Sequence, residues 1–512
     1  MPESIAEALV ARADDDGVGL LFEDQSWMWS EVVAECAARA ATYEPGQHIG
    51  VLLENVPEFV FILGGAALAG AVVVGLNPTH SASELERDIA HTDCSVVITD
   101  DSRAYEPARL PAELPSADAL YCLIFTSGST GAPKAVQMSQ GRAARTATQG
   151  AVAFGPDDVL YCAMPLFHGN ALLANLFPAM ISGAAVALRR KFSASEFLTD
   201  VRKYNATYFN YVGRALSYIL AQPETPEDSD NALKFCLGSE ASPVDRKAFR
   251  RRFGCYVVEG YSSSEGGVVI TPYSGMPRNA LGKPAEGVDV VVLNSETGGE
   301  CERARFDDNG ILLNPTEVIG EIVGRDGLRS FEGYYNNPEA TAERGRNGWY
   351  WSGDLGYRSE DGTFFFAGRS SDWLRVDGEN FAAGPVEAVL SRFDGVRGVV
   401  VYPVPDPRTG DLVMAAIEYD GEFDPDAFDA FLAAQPDLGT KWAPRFVRIV
   451  KEIPVTATGK VSRNPLRAER WETDDPVWWK PTPKDPYRSR TGADSDLLRD
   501  QFAEHGREGM LT

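Results

Sequence analysis

At 512 residues, with 44% hydrophobic, 10% aromatic and 24% charged residues, the chain has a globular composition and is too long for one hydrophobic core, so two or more packed domains are expected rather than disorder. A formal charge of -26 repels nucleic acid and anionic membrane surfaces over most of the molecule, and no local basic patch is evident to offset it. Seven cysteines without C-x-x-C spacing and five histidines, none at i,i+4 from another, speak against a disulfide framework or a zinc constellation and fit reduced thiols in a cytosol.

The first seventeen residues lack a basic start followed by an apolar stretch, so no secretory signal is legible. The uncharged run 59–76 has the length of a membrane-span candidate. Its glycines at 64, 65, 70 and 75 and its β-branched Val72, Val73 and Val74 argue otherwise. Gly70 is a natural helix stop, and the pattern predicts a buried helix feeding a buried strand. Through the first two-thirds, helical patterns alternate with Val/Ile-rich runs such as 51–53, 71–74 and 96–98. That is the rhythm of βαβ units around largely parallel sheets and predicts an α/β body.

Around 368–372 the texture changes, and strands are expected at 399–404 and 412–419. Between them and the tail, Asp424 can cap a helix that Pro425 opens and whose one face carries Phe428, Phe431 and Leu432. We therefore expect a large N-terminal domain of packed β-sheets and helices over residues 1–369 and a small mobile α+β C-terminal domain over 370–512. Past Trp471 the chain is rich in proline and charge, Trp478 and Trp479 are expected to pack back on the body, and the last twenty residues read as a polar helix or a frayed end.

The strongest chemical signal is Ile-Phe-Thr-Ser-Gly-Ser-Thr-Gly-Ala-Pro-Lys at 124–134, an apolar strand running into a loop of small residues that ends in a lysine. Gly128 and Gly131 let backbone N–H groups turn inward, while Thr126, Ser127, Ser129 and Thr130 add hydroxyl donors and Lys134 a positive charge, which together suit phosphate oxygens. A plain Ser/Gly surface turn would explain the glycines but not the terminal lysine. No Gly-Lys-Ser/Thr follows Gly128 at the Walker spacing, which disfavours a P-loop kinase or ATPase.

This loop resembles the signature loop of the adenylate-forming superfamily, which includes acyl-CoA synthetases, luciferases and nonribosomal-peptide adenylation domains. The resemblance continues, in the family's order, through Tyr-Ser-Ser-Ser-Glu at 261–265, Tyr-Trp-Ser-Gly-Asp at 350–354, Gly368-Arg369, Val-Asp-Gly-Glu-Asn at 376–380 and Pro-Val-Thr-Ala-Thr-Gly-Lys at 454–460. It implies ATP, CoA and Mg2+ as cofactors. The loop residues Thr126 to Gly131 and Lys134 would hold phosphates, with Ser239 and Glu240 also at the ATP site. Tyr261 would stack on adenine, and Ser264 stands where the family usually has Thr, keeping the hydroxyl. Asp354 would accept hydrogen bonds from both ribose hydroxyls, with Arg369 beside the ribose or phosphate.

Glu265 is implied as the Mg2+ ligand, a hard oxygen that together with ATP phosphates would neutralise the pyrophosphate leaving group. Lys460 is implied as the catalytic cation for attack of a carboxylate on the α-phosphate, serving only that first half-reaction. Ser371 matches the hinge, where many relatives carry Asp or Lys, so a charge-based latch is not expected. Gly378 and Glu379 match the loop that admits CoA, and Phe167 and His168 match the acyl entrance. In isolation Glu265, Asp354, Arg369 and Lys460 would each read as a solvated charge or a surface ion pair.

Within the superfamily the chain looks most similar to the fatty-acid-transport-protein-like acyl-CoA synthetases of actinobacteria, on Phe-Glu-Gly-Tyr-Tyr-Asn-Asn-Pro at 331–338, the 376–380 loop and Asp-Asp-Pro-Val-Trp at 474–478. The stretch 189–195 resembles the steroid-associated members. The expected activity is AMP-forming ligation of a hydrophobic acid, a steroid side-chain carboxylate or a fatty acid, to CoA. Two other readings stay open: an adenylating enzyme that loads a carrier protein, and a non-catalytic lipid-uptake protein. A small carboxylic acid is the expected partner, with no nucleic acid, no integral membrane span, a cytoplasmic location, and a homodimer left open.

Overall fold

The computed structural model describes residues 1–511 apart from 127–132, 242, 278, 279, 296, 308, 309, 311, 370–372, 377, 378, 409, 440, 457 and 458. The chain packs as two compact units, one of Met1–Pro272, Asp326–Tyr350 and Ala457–Lys460, the other of Tyr273–Arg325, Trp351–Thr456 and Val461–Thr512.

In the first unit the apolar run resolves as the sequence pattern predicts. A helix, Pro57–Ala69, opens on proline and stops at Gly70, whose φ of 73° is left-handed. Val72–Gly75 follows as a strand with all four residues buried. The helix is apolar all round because it is covered all round. It packs against the helix Trp29–Ala40 so closely that a Cβ on Gly64 would lie 2.2 Å from Cys36 Sγ, and one on Gly65 would lie 2.6 Å from Arg39 Cβ. At its head the buried Glu58 pairs with Arg39 at 2.5 Å. Among the described residues no helix is long and apolar enough to cross a membrane.

Two sheets carry this unit. One has the order Val96–Ile98, His48–Val51, Val72–Gly75, Leu120–Phe125, Ala135–Ser139, parallel except for the last antiparallel pair. The strand expected at 51–53 begins earlier, because Ile49 is held between Val73 and Val96 and the chain leaves the ladder after Val51. The other sheet has seven strands, in the order Tyr256–Glu259, Phe235–Gly238, Tyr208–Asn210, Val159–Cys162, Ala185–Leu188, Val18–Phe22, Gln25–Met28. All its neighbours are parallel but the final hairpin. Tyr208–Asn210 and Phe235–Gly238 are parallel neighbours, so the turns that leave their carboxyl ends emerge side by side.

One expectation needs correction here. The helix Pro243–Phe253 concentrates Arg246, Lys247, Arg250, Arg251 and Arg252, against the expectation of no local basic patch. Arg252 is buried on Asp228 at 2.5 Å, Arg251 pairs with Glu224 at 2.8 Å, and Arg250 lies over the Tyr256 ring, so part of that charge is neutralised locally.

The second unit holds a five-stranded sheet in the order Ala280–Gly282, Phe364–Arg369, Tyr350–Arg358, Gly320–Gly324, Val290–Leu293, antiparallel between its first three strands and between its last two. The alternating βαβ rhythm expected of the first two-thirds does not reach it. Its strands reverse directly, as between Arg358 and Phe364, where Gly362 takes φ of 85°. A second sheet runs Val396–Pro405, Asp411–Tyr419, Phe446–Val450, Val477–Trp479, Arg488–Ser489. The helix Pro425–Ala433 starts as its sequence predicts, with the Asp424 carboxylate accepting from the N–H groups of Asp426 and Ala427 at 3.0 Å each. Trp479 stacks on Phe446, and the tail helix Gly492–Glu504 buries Leu498 and Phe502, the latter against Trp471. All seven cysteines are free thiols.

Candidate functional site

The strand Leu120–Phe125 returns as Ala135–Ser139 with Phe125 opposite Ala135, so the loop between them has a fixed mouth. Thr126 N–H donates to the Lys134 carbonyl at 3.1 Å and closes it. Ser127, Gly128, Ser129, Thr130 and Gly131 lie outside the described residues. Lys134 directs its ammonium over the Tyr334 ring, 5.8 Å from the centroid, and stands 3.9 Å from Glu343.

The same tyrosine reaches the buried Glu265, donating from its hydroxyl to Oε1 at 2.8 Å. Arg344 Nε lies 3.4 Å behind that hydroxyl. Burial and the Glu265 carboxylate push the Tyr334 phenol well above its ordinary value, so it stays a proton donor. Arg142 donates to the carbonyls of Ser264 and Gln137, the latter at 2.7 Å, tying the Glu265 turn to the strand Ala135–Ser139. Glu332 fixes that strand from the other side, accepting from Ser139 N–H at 2.7 Å and Ser139 Oγ at 2.6 Å.

Among the described residues no group of three His, Cys, Asp or Glu side chains could hold a metal ion by itself. Glu265 is a single hard oxygen donor, which fits a Mg2+ ion that arrives on ATP phosphates and keeps several waters, and does not fit a resident protein-caged ion.

The turns at the carboxyl ends of the two adjacent parallel strands carry the second constellation. Gly213 N–H donates to the Ser239 carbonyl at 2.9 Å. Glu240 adopts φ of 73°, and its Oε1 lies 3.6 Å from Lys460 Nζ. His168 faces the same lysine: burial, with the Lys460 charge added, pushes its imidazole down to about 4 and keeps it neutral. Its Nδ1 accepts from Asn170 N–H at 3.2 Å. From there an amide chain runs inward, Asn210 Nδ2 to Asn170 Oδ1 and Asn175 Nδ2 to Asn210 Oδ1, each 2.7 Å.

Phe167 packs by its backbone on the strand Val72–Gly75, where a Cβ on Gly75 would fall 2.8 Å from Phe167 Cα. Ser264 Oγ sits 2.9 Å from where a Cβ on Gly169 would be, so it borders the His168 turn. Tyr261 heads a short ladder, opposite Ile270. Thr126, Lys134, Phe167, His168, Ser239, Glu240, Tyr261, Ser264, Glu265 and Lys460 thus all belong to the first unit.

Asp354 and Arg369 belong to the second unit, directly opposite each other in the ladder, with Oδ1 and Nε 3.4 Å apart. The hairpin Trp373–Val376 and Glu379–Ala382 pairs Val376 with Glu379. Ser371 and Gly378 lie outside the described residues, and of Glu379 only the backbone is described. Sequence reasoning missed Tyr334, Arg344 and Arg142 as supports of Glu265. Tyr334 lay inside the 331–338 motif and could have been suspected there, whereas nothing local marks Arg142.

Residues 10–114 and 102–335 match the family described as AMP-binding enzyme, and residues 385–460 match the AMP-binding enzyme C-terminal domain. The chain is 48% identical to a steroid-22-oyl-CoA synthetase of Rhodococcus jostii over 548 aligned positions, covering 99% of each. It is 44% identical to a medium/long-chain-fatty-acid–CoA ligase of Mycobacterium tuberculosis, covering 93% of this chain and 98% of the relative. Of solved structures, ATP-bound MatB from Rhodopseudomonas palustris matches with a TM-score of 0.81 at 22% identity over 91% of this chain and 98% of that one, a likeness of fold.

Proposed function

The chain belongs to the AMP-binding enzyme family, and from that premise we propose that it is an AMP-forming acid–thiol ligase that joins a bulky hydrophobic carboxylic acid to CoA through an acyl adenylate. The observation that carries this reading is the position of Lys460, 3.6 Å from Glu240 at the carboxyl edge of a parallel sheet, in the unit that also holds Lys134 and Glu265.

In the first step an oxygen of the acid's carboxylate bonds to the α-phosphorus of ATP while the bond from that phosphorus to the bridging β-oxygen breaks, and pyrophosphate leaves. Lys134 and Lys460 spread the developing negative charge. Glu265 would hold a Mg2+ ion, which would supply charge neutralisation to the pyrophosphate when bound. Tyr334 keeps the Glu265 carboxylate oriented for that contact. Tyr261 is assigned to adenine, Asp354 and Arg369 to the ribose and phosphate, and Ser264, Ser239 and the loop from Thr126 to Gly131 to the phosphates. In the second step the CoA sulfur bonds to the acyl carbon, its proton passes to solvent, the bond from that carbon to the phosphate oxygen breaks, and AMP departs. Gly378 and Glu379 are assigned to CoA, Ser371 to a hinge at the start of a catalytic C-terminal domain over 370–512, and Phe167 and neutral His168 to the acyl entrance. The seven free thiols support a reducing, cytoplasmic location.

A steroid side-chain carboxylate or a medium- to long-chain fatty acid is the favoured substrate, supported by the names of the two relatives that match nearly end to end. A coupled AMP-release assay over short, medium, long-chain and steroid carboxylates tests it. Acid-dependent AMP and thioester with the bulky apolar acids are expected. AMP release with none of them contradicts the reading, and release that needs a phosphopantetheinyl carrier in place of CoA redirects it.

A further inference from the structure

We propose that Gly213 and Glu240 form the seat that holds the Lys460 loop in its acid-activating position, Gly213 by leaving room for a backbone carbonyl and Glu240 by anchoring the ammonium. The inference rests on the proposed role of Lys460 in adenylation and adds to it the residues that position that lysine.

The seat is prepared by the sheet. Because Tyr208–Asn210 and Phe235–Gly238 are adjacent parallel strands, the chain segments leaving them are side by side, and the Gly213 N–H to Ser239 C=O bond of 2.9 Å ties the two turns into one platform. Each turn carries one residue with left-handed backbone, Gly213 at φ of 62° and Glu240 at φ of 73°. For glycine that conformation is free of strain. For glutamate it is not, and a strained non-glycine residue beside a reactive group points to a demand on where its side chain goes.

Onto this platform the lysine loop is set at three points. A Cβ on Gly213 would lie 2.0 Å from the Gly459 carbonyl oxygen, 2.6 Å from its carbon and 3.1 Å from Lys460 N, so the loop backbone occupies the volume that any other residue would need. Arg214 N–H donates to the same Gly459 oxygen at 3.3 Å. One residue further on, Lys460 Nζ meets Glu240 Oε1 at 3.6 Å. The ion pair is partly exposed, with side chains 27% and 39% accessible, so it directs the ammonium more than it binds the loop. The glycine notch is what lets the loop backbone approach this closely. Neither Gly213 nor Glu240 needs to touch the reacting atoms for this; both act through Lys460.

The test separates the two half-reactions and reads the loop directly. Gly213→Ala is expected to displace the Lys460 backbone by about 1 Å or more and to lower acid-dependent ATP/pyrophosphate exchange about 100-fold. Thioester formation from chemically prepared acyl adenylate and CoA should stay within about twofold, because that step is assigned no need of the seated lysine. Trypsin cleavage after Lys460, followed by mass spectrometry, should accelerate in the variant. Glu240→Gln should give a smaller loss of exchange, about twofold to fivefold, with a smaller rise in cleavage. Exchange at the wild-type rate in Gly213→Ala, or equal loss of both half-reactions in a protein whose melting temperature is unchanged, overturns the seat. Should Gly213→Ala not fold, Glu240→Gln decides alone, and unaltered exchange with unaltered cleavage overturns it. A parallel Lys460→Ala keeps the levels apart: exchange retained there removes the lysine's role, whereas exchange lost there but kept in Gly213→Ala removes only the seat.

Discussion

The helix Pro57–Ala69 and the junction around Glu265 are both buried, and they are buried by opposite means. The helix is a single uninterrupted segment, apolar on every side, whose position is set by small residues meeting a neighbouring helix. The junction is assembled from polar groups of separate parts of the chain: Tyr334 donates to Glu265 with Arg344 behind it, and Arg142 holds the Ser264 carbonyl. Burial in the first case stabilises the fold. In the second it holds a carboxylate at a fixed place, which is what the role proposed for Glu265 needs.

The contrast can be broken at either end. Glu265→Gln removes the charge and keeps the shape, and ATP/pyrophosphate exchange is expected to fall by about 100- to 1,000-fold with the urea midpoint little changed. Gly64→Val is the mirror case. Its Cβ would collide with Cys36 Sγ at 2.2 Å, so destabilisation of about 3 kcal/mol is expected by urea unfolding, with the kinetics of the protein that remains folded unaltered. A smaller effect sharpens the picture of the junction: Tyr334→Phe keeps the ring beneath Lys134 and deletes the donor to Glu265. It should weaken Mg·ATP binding by calorimetry about fivefold, on the order of 1 kcal/mol for one hydrogen bond.

A further effect is a pH dependence. His168 is held near 4 in the folded protein, below its ordinary 6.5, while the unfolded chain takes up a proton normally. More protons are therefore bound by the unfolded state between those values, so this group costs stability as the pH falls from 6.5 and adds no further loss below about 4. Comparing urea midpoints at pH 7 and pH 5, wild type should lose more stability than His168→Gln. Equal losses would mean that the imidazole is not held neutral.

The same contrast explains what could be read from the chain before its fold was seen. The stop at Gly70 and the cap at Asp424 were legible because each is decided within a few residues, by a left-handed backbone in one case and by two N–H groups in the other. The start of the strand His48–Val51 was misplaced by three residues, since its extent is set by the neighbours it pairs with, His48 opposite Val72 and Val51 between Gly75 and Ile98, and not by its own apolar content. The antiparallel sheet of the second unit was not foreseen, because a short buried run such as Val290–Leu293 looks the same in either kind of sheet.

At the site, motif positions could be named from resemblance, but not what holds them. Tyr334 lies 69 residues from Glu265 and Arg142 lies 122 from Ser264, separations across which no periodicity speaks. Gly213 reads as an ordinary turn glycine until the carbonyl that fills its side is located.

The central claim is a division of labour in which Lys460 activates the acid and then has no part in thioester formation. Both half-reactions measured on Lys460→Ala test it most directly. The account predicts acid-dependent exchange reduced at least about 100-fold while preformed acyl adenylate is still converted to thioester at close to the wild-type rate. Parallel collapse of the two rates, or exchange left intact, would contradict it.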